Sequence, residues 1–289
     1  MVTDALLLTE SENTLRIDAK WPEIAIFQTK KYRNARVEAH NALFWMARAS
    51  HSFLEPTLGN GHLSLFWNEK HCDFRTRLLV NGCQIGLHIP DLELYFCENE
   101  EKVPHSFWLD DRTPAFVEAW YLVEFLHRGI EQAKFSTALP FDCPDMLMGD
   151  TEDHNASLFK TELTAINESL GVALNMLKIV ADQLARHNNF VSKPGQITLE
   201  PESFTLIVRG ELATTNGNAV LVGFSVGDHL RPAPFFYSKT CEQVTNSKHH
   251  PLDYNPANII SLQSIADQAV SGEELVKKLV NLAIGKSVA

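Results

Sequence analysis

Hydrophobic and polar residues in the first half of the chain follow first a helical and then a strand-like period. Apolar positions recur every three or four residues from Arg33 to Ala49, which predicts an amphipathic helix. Strand-like runs follow at residues 62–67, 77–80, 84–89 and 92–97. Asn81-Gly82, between two of these runs, is the dipeptide that most strongly favours a tight hairpin turn. The first half therefore predicts a helix followed by antiparallel strands.

A second helix is predicted from Thr113-Pro114 to about Arg128-Gly129, because threonine caps a helix and proline is accepted at its first position. The apolar positions expected to pack against a sheet are Phe116, Trp120, Val123 and Leu126. A short strand is expected near residues 134–138. The segment 139–150 contains two prolines, one glycine and three aspartates, a composition typical of a connector.

The second half begins with the longest predicted helix, residues 156–187, whose apolar positions alternate in steps of four and three. These heptad positions are Phe159, Leu163, Ile166, Leu170, Ala173, Leu177, Val180 and Leu184. Such a stripe packs either inside its own protein or against a partner helix, and the few flanking charge pairs favour the internal arrangement. Strands are predicted at residues 196–199, 203–208, 219–226 and 235–240, with a hairpin turn at Asn216-Gly217 and a closing helix at 272–284.

The order of these elements predicts an α+β fold with antiparallel sheets and helices. Hairpins connect the strands and the helices gather at the ends of each run, which disfavours a doubly wound parallel sheet. Two similarly arranged helix–strands–helix halves are expected, residues 1–145 and 146–289, packed as one compact unit.

Composition narrows the partners and the location. The formal charge of −11 disfavours binding to nucleic acid and to anionic membranes, because both carry the same sign of charge. No apolar run approaches the roughly 20 residues of a membrane helix, and the N-terminus lacks a basic signal region, so a cytoplasmic protein is expected. The five cysteines form no C-x-x-C pair and are expected to be reduced thiols.

The motifs of nucleotide-binding loops, serine hydrolases, zinc proteases and calcium loops do not occur, which leaves the 12 histidines as the main resource for chemistry. His40 shares a helical face with Arg33 and Arg36, either as a small anion-binding face or as a solvated basic stripe. Adjacent histidines such as His249-His250 rarely ligate one ion, so no metal site is predicted, and no cofactor is indicated.

Two further histidines lie at element boundaries. His62 follows Gly59-Asn60-Gly61 at the start of a predicted strand, where it either reaches a cleft or serves as a structural hydrogen-bonding group. His154 precedes the long helix, where it either caps that helix or contributes to a site.

Several fragments form an ordered set along the chain: His40 and His62 with Pro56 between them, His62-Leu-Ser-Leu-Phe, Asp150 with His154-x-Ala156-Ser157, Ser203-Phe204-Thr-Leu with Arg209, and Pro234-Phe-Phe-Tyr237-Ser238. In order and spacing they resemble a large bacterial family of uncharacterised proteins, a domain of unknown function with His-x-Trp-Thr-Gln and His-Ala-Ser-Tyr-Asp motifs. Ala42-Leu43-Phe44 stand here in place of Trp-Thr-Gln, and Leu158-Phe159 in place of Tyr-Asp. The resemblance singles out His40, His62 and His154 and implies no particular activity.

The leading hypothesis is a cleft lined by His40, His62 and His154, with Arg36 beside them, that binds a small polar or anionic molecule and in which acid/base chemistry is open. The alternative is a non-enzymatic protein that meets another chain through the heptad helix 156–187 or a sheet edge. The oligomeric state is not indicated by the sequence.

Overall fold

A computed structural model describes residues 20–143, 146–187, 190, 195–212, 219–241 and 258–285. Helix α1, Lys30–Phe53, begins where Thr29 Oγ1 accepts a hydrogen bond from the backbone N–H of Tyr32 at 3.0 Å. This helix confirms the prediction for residues 33–49 and extends it at both ends. Almost every residue from Ala39 onward is buried, so α1 runs through the interior.

The first sheet is antiparallel and carries the strands of the N-terminal half. Its strands are β1 Phe66–Asn68, β2 Asp73–Arg75, β3 Cys83–His88, β4 Glu93–Glu98, β5 Glu101–Lys102 and β6 Phe107–Trp108. The order is β1-β2-β3-β4-β5, and β6 also pairs with β4. The predicted turn at Asn81-Gly82 is confirmed, with φ of 61° and 72°. The predicted strand at 77–80 is wrong, since β2 ends at Arg75 and residues 80–82 form a single 3-10 turn.

Helix α2, Pro114–His127, has the predicted start: Thr113 Oγ1 accepts a hydrogen bond from the N–H of Phe116 at 3.4 Å. The predicted packing face is wrong, because Phe116, Val123 and Leu126 are 60%, 49% and 62% exposed. The residues that pack inward are Val117, Tyr121 and Phe125. The helix is apolar on almost every face, so its pattern alone did not select the buried one. Trp120 is partly buried against Phe96 and Phe107.

Helix α3, Lys160–Ala185, follows a 3-10 turn at Ala156–Phe159 and is the central helix of the second half. Its heptad positions from Leu163 to Leu184 are at most 1% exposed, which confirms the internal arrangement of the stripe. The segment Ala156–Ala185 is long and apolar enough to cross a membrane by length and composition alone, but more than half of its apolar window is buried inside the protein. That burial is typical of the core helix of a soluble protein.

The second sheet is also antiparallel, in the order β11-β10-β9-β8-β7. Its strands are β7 Thr198–Glu200, β8 Thr205–Glu211, β9 Ala219–Ser225, β10 Phe235–Cys241 and β11 Ile259–Ser261, followed by helices α4 Leu262–Asp267 and α5 Gly272–Ala283. The predicted turn Asn216-Gly217 lies outside the described residues. The strand expected at 134–138 is not formed: residue 134 belongs to a 3-10 turn, Gln132–Lys134, and residues 135–138 belong to neither sheet.

The two halves share one hydrophobic core, which contains buried side chains from both sheets and from α1, α2, α3 and α5. Leu65 and Leu199 form an antiparallel bridge between the sheets, with backbone hydrogen bonds of 2.9 Å in both directions. The α+β class with antiparallel sheets is therefore confirmed.

Candidate functional site

Polar side chains line one buried face of α1. Glu38, Asn41 and Arg48 lie three and seven residues apart, a spacing that places them on the same side of a helix with 3.6 residues per turn. They are 8%, 3% and 4% exposed. Polar and charged groups are costly to bury unless they find partners, so this α1 polar face (Glu38, Asn41 and Arg48) is the first place to look for a function.

Residues 137–143 and 146–154, most of which were predicted to belong to a connector, include the residues that contact this face. Arg48 donates from Nε to the Thr137 carbonyl at 2.9 Å and from Nη2 to the Met146 sulfur at 3.0 Å. The backbone N–H of Leu147 donates to Asn41 Oδ1 at 2.8 Å. Thr137 and Met146 therefore attach to Arg48, and Leu147 attaches to Asn41, about two helical turns away.

The far end of this segment brings His154 to Glu38. His154 Nδ1 lies 2.9 Å from Glu38 Oε2, and His154 is completely buried. The backbone of His154 is fixed by a hydrogen bond from its N–H to the Arg112 carbonyl at 3.0 Å and by one from the Asp111 N–H to its own carbonyl at 2.9 Å. The histidine thus does not cap α3; it pairs with a carboxylate on α1.

One ring nitrogen of His154, Nε2, does not take part in the contact with Glu38. A carboxylate at Nδ1 fixes the proton on that nitrogen, so the neutral ring presents a lone pair at Nε2. Nε2 is buried and has no hydrogen-bond partner in the described part of the protein. An imidazole oriented by a carboxylate, with its second nitrogen free, is the arrangement of a general base.

His40 and Arg36 lie together on a different face of α1. His40 Nε2 donates to the Pro201 carbonyl at 2.6 Å, and Arg36 Nη1 donates to the Pro232 carbonyl at 3.0 Å. Burial lowers the pKa of His40 to about 4, with a smaller lowering from Arg36. These two side chains therefore hold loops of the second sheet against α1.

His40 and His154 do not meet. Glu38, which holds His154, is two residues from His40, a step of roughly 200° around the helix. The His40 ring instead packs against Phe44 and Phe204, with ring centroids 4.3 Å and 5.4 Å away.

His62 lies at the C-terminal end of α1. Its Nδ1 accepts a hydrogen bond from the Thr57 N–H at 3.3 Å, and its ring centroid is 5.9 Å from that of His51 in the last turn of α1. Burial lowers the pKa of His62, and His51 and Arg77 lower it further. His51 follows His40 by roughly 16 Å of helix rise. The three predicted histidines thus lie along one helix, each with its own partners.

A second polar cluster lies on the β3–β4 hairpin. Donor atoms of His88, Asp91 and Glu93 lie within 4.8 Å of one another, a set that could in principle hold a divalent cation. Two lysines already supply positive charge: Lys102 Nζ is 2.5 Å from Glu93, and Lys160 Nζ is 4.0 Å from Asp91. The hydrogen bond to Asp91 raises the pKa of His88. Together with the two lysines, the three residues of the cluster therefore form a network of ion pairs.

Sequence reasoning selected His154 but missed Glu38, Asn41 and Arg48. A signal was present: these polar residues recur at helical spacing within α1, and Arg48 interrupts a run of apolar residues.

Comparisons of the chain with protein-family models, with curated proteins and with solved structures found no match.

Proposed function

We propose that this protein binds a small polar molecule that carries a hydrogen-bond donor at the N-terminal end of the α1 polar face, in contact with the Glu38–His154 pair. The observation that carries the proposal is the completely buried His154 ring, whose Nε2 has no hydrogen-bond partner among the described residues. A buried polar atom without a partner costs roughly 1–3 kcal/mol, and a ligand that donates a hydrogen bond to it removes that cost.

The pair also suits proton transfer. When Nε2 takes a proton from a bound molecule, the Glu38 carboxylate stabilises the imidazolium that forms. The Glu38 side chain keeps 11% of its surface exposed, and the covering residues 148–153 lie at the surface. We infer that a small molecule reaches the pair along this edge of the covering segment.

Thermal-shift screening against small metabolites tests this proposal, because a ligand of the folded form raises the apparent stability. The matched variants are His154→Gln, which alters the pair, and His127→Gln, which changes a side chain that is 62% exposed in the last turn of α2. We expect a ligand that stabilises the unmodified protein and His127→Gln but not His154→Gln. Equal shifts in all three proteins would contradict the proposal, as would the absence of any shift across a broad panel.

We also propose that the protein is cytoplasmic and that it is related to the bacterial family of uncharacterised proteins that its sequence resembles. Cys72, Cys83, Cys97 and Cys143 are free thiols, in keeping with a reducing compartment. The alternative of a partner helix docked on the heptad stripe has less support, because that stripe is buried in the protein's own core.

A further inference from the structure

Arg48 is a buried cation with no matching anion among the described residues. Its residue is 4% exposed, and in the part of the chain that the structure describes no carboxylate lies within ion-pair distance of its guanidinium. Burial lowers the pKa of Arg48, and electrostatic interactions with Cys143, Tyr121 and Glu118 oppose that lowering. Buried charges in proteins are normally paired, so this one requires an explanation.

The hydrogen bonds of Arg48 leave much of its capacity unused. A guanidinium has five N–H donors, and among the described residues two acceptors contact that of Arg48, the Thr137 carbonyl and the Met146 thioether. A thioether sulfur is a weak acceptor. The group is held in place from one side by Trp45, whose ring centroid is 4.2 Å from the guanidinium carbon. It is therefore a positioned cation with donors to spare.

Tyr121 supplies a second donor in the same neighbourhood. The residue is completely buried, and its hydroxyl has no hydrogen-bond partner among the described residues. Its ring stacks on Trp45 at 5.9 Å, so Tyr121 and Arg48 contact the same indole. The Arg48 charge also acts on the phenol, lowering a pKa that burial raises. A buried hydroxyl without a partner among the described residues and a guanidinium with donors beyond its two hydrogen bonds therefore contact one aromatic ring.

We propose that Arg48 and Tyr121 form a binding site for a small oxyanion, a carboxylate or phosphate group. The planar fork of a guanidinium matches two oxygens of such a group, and a phenol hydroxyl adds a third hydrogen bond. An oxyanion there replaces the weak contact with the Met146 sulfur and neutralises the buried charge. Arg48 follows Glu38 by roughly 15 Å of helix rise, so this site is separate from the Glu38–His154 pair and does not depend on it.

Tyr121→Phe gives the sharpest test, because it removes the hydroxyl and keeps the ring. The full chain would be titrated with sodium phosphate and, separately, with sodium acetate at constant ionic strength, with chloride as the reference anion, while thermal stability is measured. We expect phosphate, acetate or both to stabilise the unmodified protein. In Tyr121→Phe the affinity should fall by about tenfold or more, the effect of one lost hydrogen bond to an anion.

The same variant separates a ligand site from a purely structural role. Without added oxyanion, Tyr121→Phe should be at least as stable as the unmodified protein, because it removes a buried hydroxyl that has no partner. Arg48→Lys, which keeps the charge and loses the fork, should also weaken binding, whereas the exposed Arg33→Lys should not. Stabilisation by phosphate alone or by acetate alone identifies the group that the site accepts.

Three outcomes would overturn the proposal: no stabilisation by either anion, equal stabilisation of Tyr121→Phe, or a marked loss of stability in that variant before any anion is added. His154→Gln keeps the response to phosphate or acetate if the two sites are independent. This variant therefore distinguishes a failure of the function proposed for the Glu38–His154 pair from a failure of the oxyanion site proposed here.

Discussion

Tyr95 lies directly over Gly86, its partner in the β3–β4 ladder: a Cβ added to Gly86 would be 2.4 Å from Cζ of the Tyr95 ring. The Tyr95 hydroxyl then donates to the buried carboxylate of Asp73. The second sheet repeats the relationship, since a Cβ on Gly223 would lie 2.5 Å from the ring of its partner Tyr237. In each sheet a glycine, which has no side chain, makes room for the ring of a tyrosine on the neighbouring strand.

Gly86→Ala is expected to destabilise the protein by roughly 1–3 kcal/mol, the usual cost of forcing an extra methyl group into a packed site. The new methyl group must displace the Tyr95 ring and with it the hydrogen bond to Asp73. Urea denaturation measures the change in the free energy of unfolding. The control is Gly171→Ala in α3, where the nearest atom to the new Cβ is 3.9 Å away and a gain of about 0.5–1 kcal/mol is expected from helix propensity. A neutral Gly86→Ala would show that the ring is free to move.

The orientation of α2 predicts opposite outcomes for two valines of the same helix. Val117 is fully buried and Val123 is 49% exposed. Val117→Ala should cost roughly 1.5–3 kcal/mol, from lost burial and a small cavity, whereas Val123→Ala should stay within about 0.5 kcal/mol of the unmodified protein. Denaturant unfolding of the two variants provides the comparison. The reverse order would mean that α2 packs with the face that its apolar pattern first suggested.

Long periodic elements were predictable and short or ambiguous ones were not. The stripe of α3 repeats over many turns, and only one face of that helix is consistently apolar, so the sequence predicted the helix and favoured its internal packing. In α2 the residues Phe116 and Val117 are both apolar, so the helical period fits two faces one residue apart. The choice between them depends on Phe96 and the other side chains that α2 meets in the fold.

Within the candidate site, only relationships between residues that are close in sequence could be predicted. Arg36 and His40 share a face of α1 because they are four residues apart, which the sequence states directly. The contact between Glu38 and His154 joins positions 116 residues apart, and no local spacing rule encodes it. The expected meeting of His40 with His154 required knowledge of which helical face each side chain uses.

Coupling between Glu38 and His154 can be measured with a double-mutant cycle. Glu38→Ala or His154→Ala alone leaves the other member of a buried pair without its partner and should cost roughly 2–4 kcal/mol. The double variant should be more stable than the sum of the two losses implies, with a coupling energy above about 1 kcal/mol from urea denaturation. Strict additivity would mean that the two groups do not stabilise each other, and the proposed acid/base pair would lose its basis.

The pKa of His40 predicts how stability changes with pH. Folding lowers this pKa from 6.5 to about 4, chiefly by burial, so between these values the unfolded chain binds the proton more readily than the folded protein does. The contribution of neutral His40 is therefore complete above about pH 6.5, falls as the pH decreases, and levels off below about pH 4.

His40→Gln removes this titration while keeping an N–H that can donate to the Pro201 carbonyl. Urea midpoints measured from about pH 7 down to about pH 4.5 should fall less steeply for His40→Gln than for the unmodified protein. A residual slope is expected, because burial also lowers the pKa of His62. His127→Gln, in which the altered side chain is 62% exposed, serves as the control and should keep the full slope. Identical slopes for His40→Gln and the unmodified protein would show that His40 is protonated as readily in the folded protein as in the unfolded chain.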